Sequence, residues 1–263
     1  MRYKVAEDAK PQLALLLLAT VVTIILWFIP YAEYLVYPIR LFVTFIHEAS
    51  HALVGLVTGG AVQSLTISPD GSGVVYSASP GFFSEIFTSS AGYLGTTAFG
   101  VLLLLFIRRN FSPQKILFFS GIFIAVITLF FGIVMPAFNI FSLNVTMGSV
   151  LFTVVAGAVI SFGLVMLAAY SNVKVASFAV AFLAVQCLMN ALSDLKTLFF
   201  INASYGGSEI QTDAGNMAHA TGLPSIVWVF IWMGISLAMI SLGLRLYAVV
   251  KNRSMQSELP FED

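Results

Sequence analysis

The chain has 263 residues, of which 59% are hydrophobic and only 9% are charged, and its mean hydropathy is +0.96. An ordinary soluble domain carries roughly a quarter of charged residues, so this composition indicates a polytopic membrane protein instead. The formal net charge is +0. The chain therefore lacks the excess of basic residues that nucleic-acid-binding proteins use, and we expect no nucleic-acid partner.

Seven apolar runs approach or exceed the roughly 20 residues that one membrane crossing requires. The sequence therefore predicts an all-α polytopic membrane protein of about seven transmembrane helices. We expect one membrane-embedded domain over residues 1–263, with polar tails of about 12 residues at the start and about 13 at the end. The predicted spans are 13–29, 36–58, 82–107, 116–134, 146–170, 176–200 and 225–249.

The second run contains His47-Glu48-Ala49-Ser50-His51, which reads H-E-x-x-H. His47 and His51 are four residues apart, so a helix places both on one face, where two imidazole nitrogens can bind one metal ion. Glu48 lies beside them and can accept a proton from water. The alternative is that these residues merely lie on a buried helix. It is less favoured, because a charged group inside the bilayer costs roughly 2.5–3.5 kcal/mol and usually marks function.

Residues 61–79 do not follow a helical pattern. Two β-prone runs flank Ser68-Pro69-Asp70-Gly71-Ser72-Gly73, which predicts a short β-hairpin inserted after the second span. Two interpretations stay open, a surface loop and an edge strand that pairs with an extended substrate peptide. The next span is dense in small residues between Ser89 and Thr97, which predicts close packing against the helix that carries the histidines.

Two histidines leave a catalytic zinc site one ligand short, because such sites use three protein ligands and keep a fourth position open. Asp194, an acid inside the sixth apolar run, is the preferred third ligand, and its alternative role is local pairing with Lys196. Asp213 is the alternative ligand. It lies in the polar segment 208–216, which we interpret as a loop, and the nearby His219 is interpreted as solvated.

With these motifs in place, the chain resembles the site-2-protease-like intramembrane zinc metallopeptidases, and most closely their small bacterial branch. In that branch H-E-x-x-H-A precedes a Gly-Gly turn, a Pro-Asp-Gly-Ser-Gly hairpin and a Ser-Ala-Gly-Tyr-Leu-Gly helix. The corresponding residues are Gly59-Gly60, Pro69-Asp70-Gly71-Ser72-Gly73 and Ser90-Ala91-Gly92-Tyr93-Leu94-Gly95; Ser193-Asp194-Leu195, Thr212-Asp213-Ala214 and Thr221-Gly222-Leu223-Pro224-Ser225 with Trp228 are also similar.

The resemblance implies zinc as the cofactor, His47 and His51 as metal ligands and Glu48 as the general base. Better-known members place the third ligand in an Asn…Pro…Leu-Asp-Gly pattern. This chain has Asn190 and Asp194 but lacks that proline and a glycine after the acid. The third ligand therefore stays open between Asp194 and Asp213.

The function predicted from the sequence is a zinc-dependent intramembrane endopeptidase that hydrolyses peptide bonds of membrane-associated substrates. Its expected partners are the lipid bilayer and a membrane-embedded or membrane-proximal protein substrate, and its expected location is a bacterial plasma membrane. The sequence assigns no substrate-binding residue. Two alternatives remain: a non-proteolytic metal-binding membrane protein, and an ion or metal transporter that uses Glu48 and Asp194 as a relay.

Overall fold

A computed structural model of the chain describes residues 10–139, 146–205 and 212–249, and for residues 27, 190–205, 248 and 249 it describes the backbone alone. Within these ranges the protein consists of nine α-helices, one π-helical segment and one two-stranded sheet. The elements are α1 Lys10–Phe28, α2 Ala32–Val57, β1 Ala61–Ile67, β2 Gly73–Ala78, α3 Phe82–Arg108, α4 Pro113–Ile127, the π-helical segment Thr128–Val134, α5 Met135–Phe138, α6 Met147–Tyr170, α7 Val173–Tyr205, α8 Asp213–Thr221 and α9 Ser225–Val249.

Five segments within the described residues are long and apolar enough to cross a membrane, and they correspond to predicted spans two, three, four, five and seven. Among the residues whose side chains the structure describes, the helices of predicted spans one and six contribute the apolar stretches Lys10–Leu26 and Val173–Met189. The backbones of both helices extend beyond these stretches, to Phe28 in α1 and to Tyr205 in α7. The helical membrane class is therefore confirmed, whereas the number of seven transmembrane helices is not.

The membrane character of the fold is visible on the outward faces of its helices. Phe119, Val159 and Phe230 are each more than half exposed, at 65%, 61% and 57%. Large apolar side chains at this density on the outside of a water-soluble protein would form an aggregating surface, whereas lipid tails accommodate them. The opposite faces pack around α2, where Phe42 and Phe45 are fully buried.

The predicted hairpin is present as β1 and β2, which pair antiparallel with Leu65 opposite Val75. β1 is the inner strand, and its end is held by α6, because the backbone N–H of Ile67 donates to Thr153 Oγ1 at 2.7 Å. β1 pairs along one edge of β2, and residues Gly73 to Ser77 of β2 line a cavity described below. The hairpin is thus anchored through its inner strand.

The turn of the hairpin is tied to the first half of α2. Tyr37 donates its hydroxyl proton to the carbonyl of Pro69 at 2.5 Å, and Thr44 Oγ1 donates to the carbonyl of Gly71 at 2.9 Å. Tyr37 and Thr44 are two turns apart on α2, so they hold the turn along the same side of the helix. This contact fixes the course of β2 towards the segment that carries the histidines.

Candidate metal centre

The two histidines of α2 and one distant acid meet inside the protein. Nε2 of His47 and Nε2 of His51 each lie 3.2 Å from the same atom, Oδ2 of Asp213. The imidazole rings lie with centroids 4.8 Å apart at 66°. The four-residue spacing therefore places both rings on one face of α2, as expected. Among the described residues these three form the group whose atoms could hold a metal ion, all within 4.8 Å of one another.

The orientation of His51 is fixed from its far side. Its Nδ1 lies 2.6 Å from the backbone carbonyl oxygen of Thr88 in α3. A carbonyl oxygen only accepts hydrogen bonds, so Nδ1 carries the proton and donates it. In the neutral ring Nε2 then keeps its lone pair, which is the form of the nitrogen that binds a metal ion. Histidine metal ligands are commonly held in this tautomer by such a partner.

His47 is held by aromatic packing. Its ring meets Tyr93 of α3 edge-on, with centroids 4.8 Å apart, and Tyr93 stacks on Trp232 of α9 at 5.3 Å. Trp232 Nε1 donates to Ser90 Oγ at 3.0 Å, which ties α9 to α3. The ring of His47 is therefore supported by Tyr93 of α3, which is supported in turn by Trp232 of α9.

Asp213 reaches the histidines because it begins a short helix, so the interpretation of the segment 208–216 as a loop was wrong for residues 213–216. Residues 208–211 lie outside the described residues. Thr212 caps α8, its Oγ1 accepting from the N–H of Gly215 at 3.1 Å. Ala214 and Met217 are fully buried and pack against Tyr93 and Trp232, among others. This packing aims the first residue of α8 at α2.

Sequence signals for α8 were available. Thr212 before an acidic first turn is a typical helix start, and Gly222, which adopts φ 72° at the end of α8, is a typical stop. What no such signal provides is the destination of the helix, which depends on burial of Met217 against α3 and α9.

The two histidines stabilise the ionised form of Asp213. Burial alone would raise the pKa of the Asp213 carboxyl, but the neighbouring rings of His51 and His47 outweigh it and hold that pKa below its usual range. Asp213 is therefore ionised at neutral pH. Glu48, the residue after His47, is also buried, with 6% of its surface exposed. The centre thus combines two imidazoles with two carboxyl groups.

The donor set fits a zinc ion. Tetrahedral zinc with ligand bonds of about 2.1 Å keeps its ligand atoms about 3.4 Å apart. The two nitrogen-to-oxygen distances of 3.2 Å are close to this separation. Two neutral imidazoles and one carboxylate are also a ligand set that catalytic zinc sites use. His47, His51 and Asp213 therefore fit the ligand set of a zinc ion.

The other sequence candidates are Asp194 and His219. The backbone of Asp194 belongs to α7, but its side chain, like those of Asn190 and Lys196, lies outside the described residues. Asp194 as third ligand therefore stays a prediction. His219 lies on α8 with an exposed side chain, as expected of a solvated histidine.

A cavity of about 690 Å³ opens next to His47, Glu48 and His51. The outer strand of the hairpin forms one wall, from Gly73 to Ser77. The start of α3 contributes a further carboxylate, Glu85, to the lining, and Asp213 closes the cavity from α8. The cavity therefore brings the candidate metal centre and the strand β2 into one space.

A membrane helix that presents two histidines and a buried glutamate, with a distant aspartate against both rings, defines a candidate metal-dependent hydrolase of the membrane. The Peptidase M50B-like family model matches residues 17–243, and the chain belongs to this family, which is the site-2-protease family. Membership indicates an intramembrane metalloprotease. No curated protein and no solved structure gives a significant match. The family resemblance is thus confirmed, while its bacterial branch stays a prediction.

Proposed function

We propose that the protein is a zinc-dependent intramembrane endopeptidase that cleaves membrane-associated protein substrates. The observation that carries the proposal is the convergence of His47, His51 and Asp213 beside the buried Glu48, in a cavity that also exposes β2. We assign Nε2 of His47, Nε2 of His51 and Oδ2 of Asp213 as zinc ligands. Asp194 remains the alternative to Asp213.

His47, His51 and Asp213 would hold the zinc ion, which would supply Lewis acidity to polarise the scissile carbonyl and to lower the pKa of water towards neutrality. Glu48 provides the proton transfer. Its carboxylate accepts a proton from the attacking water and then delivers it to the nitrogen of the leaving amine. Thr88 keeps the proton of His51 on Nδ1, and Tyr93 keeps the ring of His47 in place.

The substrate is proposed to bind as an extended strand along β2. A peptide in a helix hides its carbonyl groups in internal hydrogen bonds, so a scissile bond must first become extended. Within the described residues β1 is the strand that pairs with β2, so the opposite edge of β2 offers backbone groups for such a strand, and its residues Val74, Val75 and Tyr76 line the same cavity as Glu48. The edge of β1 towards α6 is occupied by Thr153.

The experiment that tests the function compares wild type with Glu48→Gln, purified in detergent. Glutamine keeps the size of the side chain but cannot accept the proton, so the variant should retain zinc by elemental analysis and lose at least about 100-fold in cleavage rate. The substrates are a quenched fluorescent peptide library and a membrane-anchored model protein in proteoliposomes. Equal cleavage by the variant would refute the mechanism. Zinc retention by both proteins without any cleavage would favour the non-proteolytic alternative.

A further inference from the structure

Two glycines lie so close to the candidate metal centre that a Cβ atom on either one would overlap with a side chain of the centre. Gly92 lies in α3 opposite the imidazole rings, and Gly73 begins β2 opposite Glu48. We propose that both are positioning residues with separate tasks: Gly92 gives the two metal ligands their place, and Gly73 gives the proton acceptor its place. The task of Gly73 rests on the proposed role of Glu48, whereas that of Gly92 requires only that the histidines bind a metal.

Gly92 lies against both rings at once. A Cβ atom at this position would be 2.5 Å from Cε1 of His47 and still closer to Nε2 of both His47 and His51. These nitrogens are the atoms that approach Asp213, so even a methyl group would enter the space between the ligand atoms. The rings cannot retreat freely, because Thr88 holds His51 and Tyr93 holds His47.

Gly73 contacts the other functional group. A Cβ atom there would be 2.5 Å from Cγ, 2.6 Å from Oε1 and 2.8 Å from Cδ of Glu48. It would therefore displace the carboxylate itself, while the histidines lie outside its nearest contacts. The position of Gly73 is fixed in turn by its pairing with Ile67 and by the turn that Tyr37 and Thr44 hold on α2. The hairpin thus sets the boundary against which Glu48 packs.

Three other glycines provide matched controls. Gly95 also lies in α3 and faces α2, but its Cβ would meet Ser50, at 2.5 Å from Cβ and closer to Oγ. Gly60 precedes the hairpin, and its Cβ would meet the backbone oxygens of Gly55 and Ala78 at 2.9 and 3.0 Å. For Gly163 in α6, no atom of the described residues lies within 4 Å of such a Cβ. These glycines separate general packing from contact with the centre.

The first experiment measures zinc affinity by chelator competition, together with kcat and KM, on the full chain in detergent. Gly92→Ala should weaken zinc binding about 10- to 100-fold, the effect of disturbing the support of a metal ligand. Gly73→Ala should keep zinc affinity and KM near wild type while kcat falls about 100-fold, because a small misplacement of a reacting group has that effect. Gly163→Ala should leave all three quantities unchanged. Gly60→Ala should spare kcat more than Gly73→Ala does.

The second experiment requires neither zinc nor activity. Melting temperatures of the metal-free proteins are compared with and without the side chains that the glycines accommodate. Gly92→Ala should lower the melting temperature of wild type but not of a His47→Ala, His51→Ala protein, where the space is empty. Likewise, Gly73→Ala should lose its effect in a Glu48→Ala background. Gly95→Ala should lower the melting temperature equally with and without the rings, because its contact is Ser50.

Wild-type zinc affinity in Gly92→Ala would overturn the assignment of Gly92. A raised KM with unchanged kcat in Gly73→Ala would show that Gly73 acts on substrate binding and not on Glu48. Equal losses of melting temperature with and without the contacted side chains would overturn both assignments. If wild type binds zinc but cleaves nothing, the proposed function fails, and the affinity and melting measurements still test the two glycines.

Discussion

Replacing Asp213 by alanine is the sharpest perturbation of the proposed centre. Its Oδ2 lies 3.2 Å from Nε2 of both histidines, so the substitution removes the one atom that both approach. Disturbing a residue that merely orients a metal ligand already weakens binding about 10- to 100-fold. Loss of the ligand itself should therefore weaken zinc binding at least about 100-fold, which corresponds to about 3 kcal/mol.

The assay is zinc content by elemental analysis, followed by chelator competition on the same preparations. Two carboxylates serve as controls. Asp194→Ala tests the acid that the sequence favoured, and it should retain zinc if Asp213 is the ligand. Glu85→Ala removes another carboxylate from the lining of the same cavity, and so measures the effect of cavity charge alone. We expect it to change zinc affinity by less than about tenfold, because a partly solvated charge interacts weakly.

The reasoning is refuted if Asp213→Ala binds zinc as tightly as wild type. Zinc loss in Asp194→Ala with retention in Asp213→Ala would assign the third ligand to α7 instead. An equal loss in Asp213→Ala and Glu85→Ala would attribute the effect to the charge of the cavity and not to a ligand.

Three further predictions concern the elements that support the centre. Met217→Ala should destabilise α8 by about 2–5 kcal/mol, because this side chain is fully buried, and should lower zinc affinity although it is no ligand; unchanged affinity by chelator competition would contradict this. Thr153→Val should cost about 1–3 kcal/mol in the free energy of unfolding by leaving the buried Ile67 N–H without an acceptor, whereas Thr153→Ser should not; equal stability of both variants in denaturant titrations would contradict it. The hydroxyl and the N–H of Ser72 donate to the Asp70 carboxylate and lower its pKa. The stability that these hydrogen bonds give the hairpin is therefore fully present above the usual carboxyl pKa and is lost as pH falls through the lowered pKa. In wild type, amide exchange of residues 68–73 should become faster as this stability is lost at low pH. The same acceleration in Asp70→Asn would contradict the assignment of the pH dependence to Asp70.

Local patterns predicted the helices and the hairpin well, because each depends on neighbouring residues. The predicted second span, 36–58, corresponds to α2, Ala32–Val57, and the predicted hairpin within 61–79 corresponds to β1 and β2. The small residues between Ser89 and Thr97 do pack on the motif helix, where Gly92 and Gly95 approach His47, His51 and Ser50. The number of membrane crossings was harder to predict, since a run of apolar residues reports length and hydropathy but not whether its helix crosses the bilayer completely.

The sequence by itself was sufficient to predict a membrane protein and a helix with His47 and His51 on one face and a glutamate beside them. Helical periodicity places residues four apart on the same face without any contribution from the rest of the chain. Tertiary structure alone decided that Asp213 meets these rings, although it lies 166 residues from His47 along the chain. That meeting depends on the burial of Met217 and Ala214 against Tyr93 and Trp232, a packing of three separate helices that no local pattern encodes. Tertiary structure likewise decided how closely α3 and β2 approach the centre. A Cβ atom at Gly92 would lie within 3 Å of both histidine rings, and one at Gly73 would lie within 3 Å of Glu48.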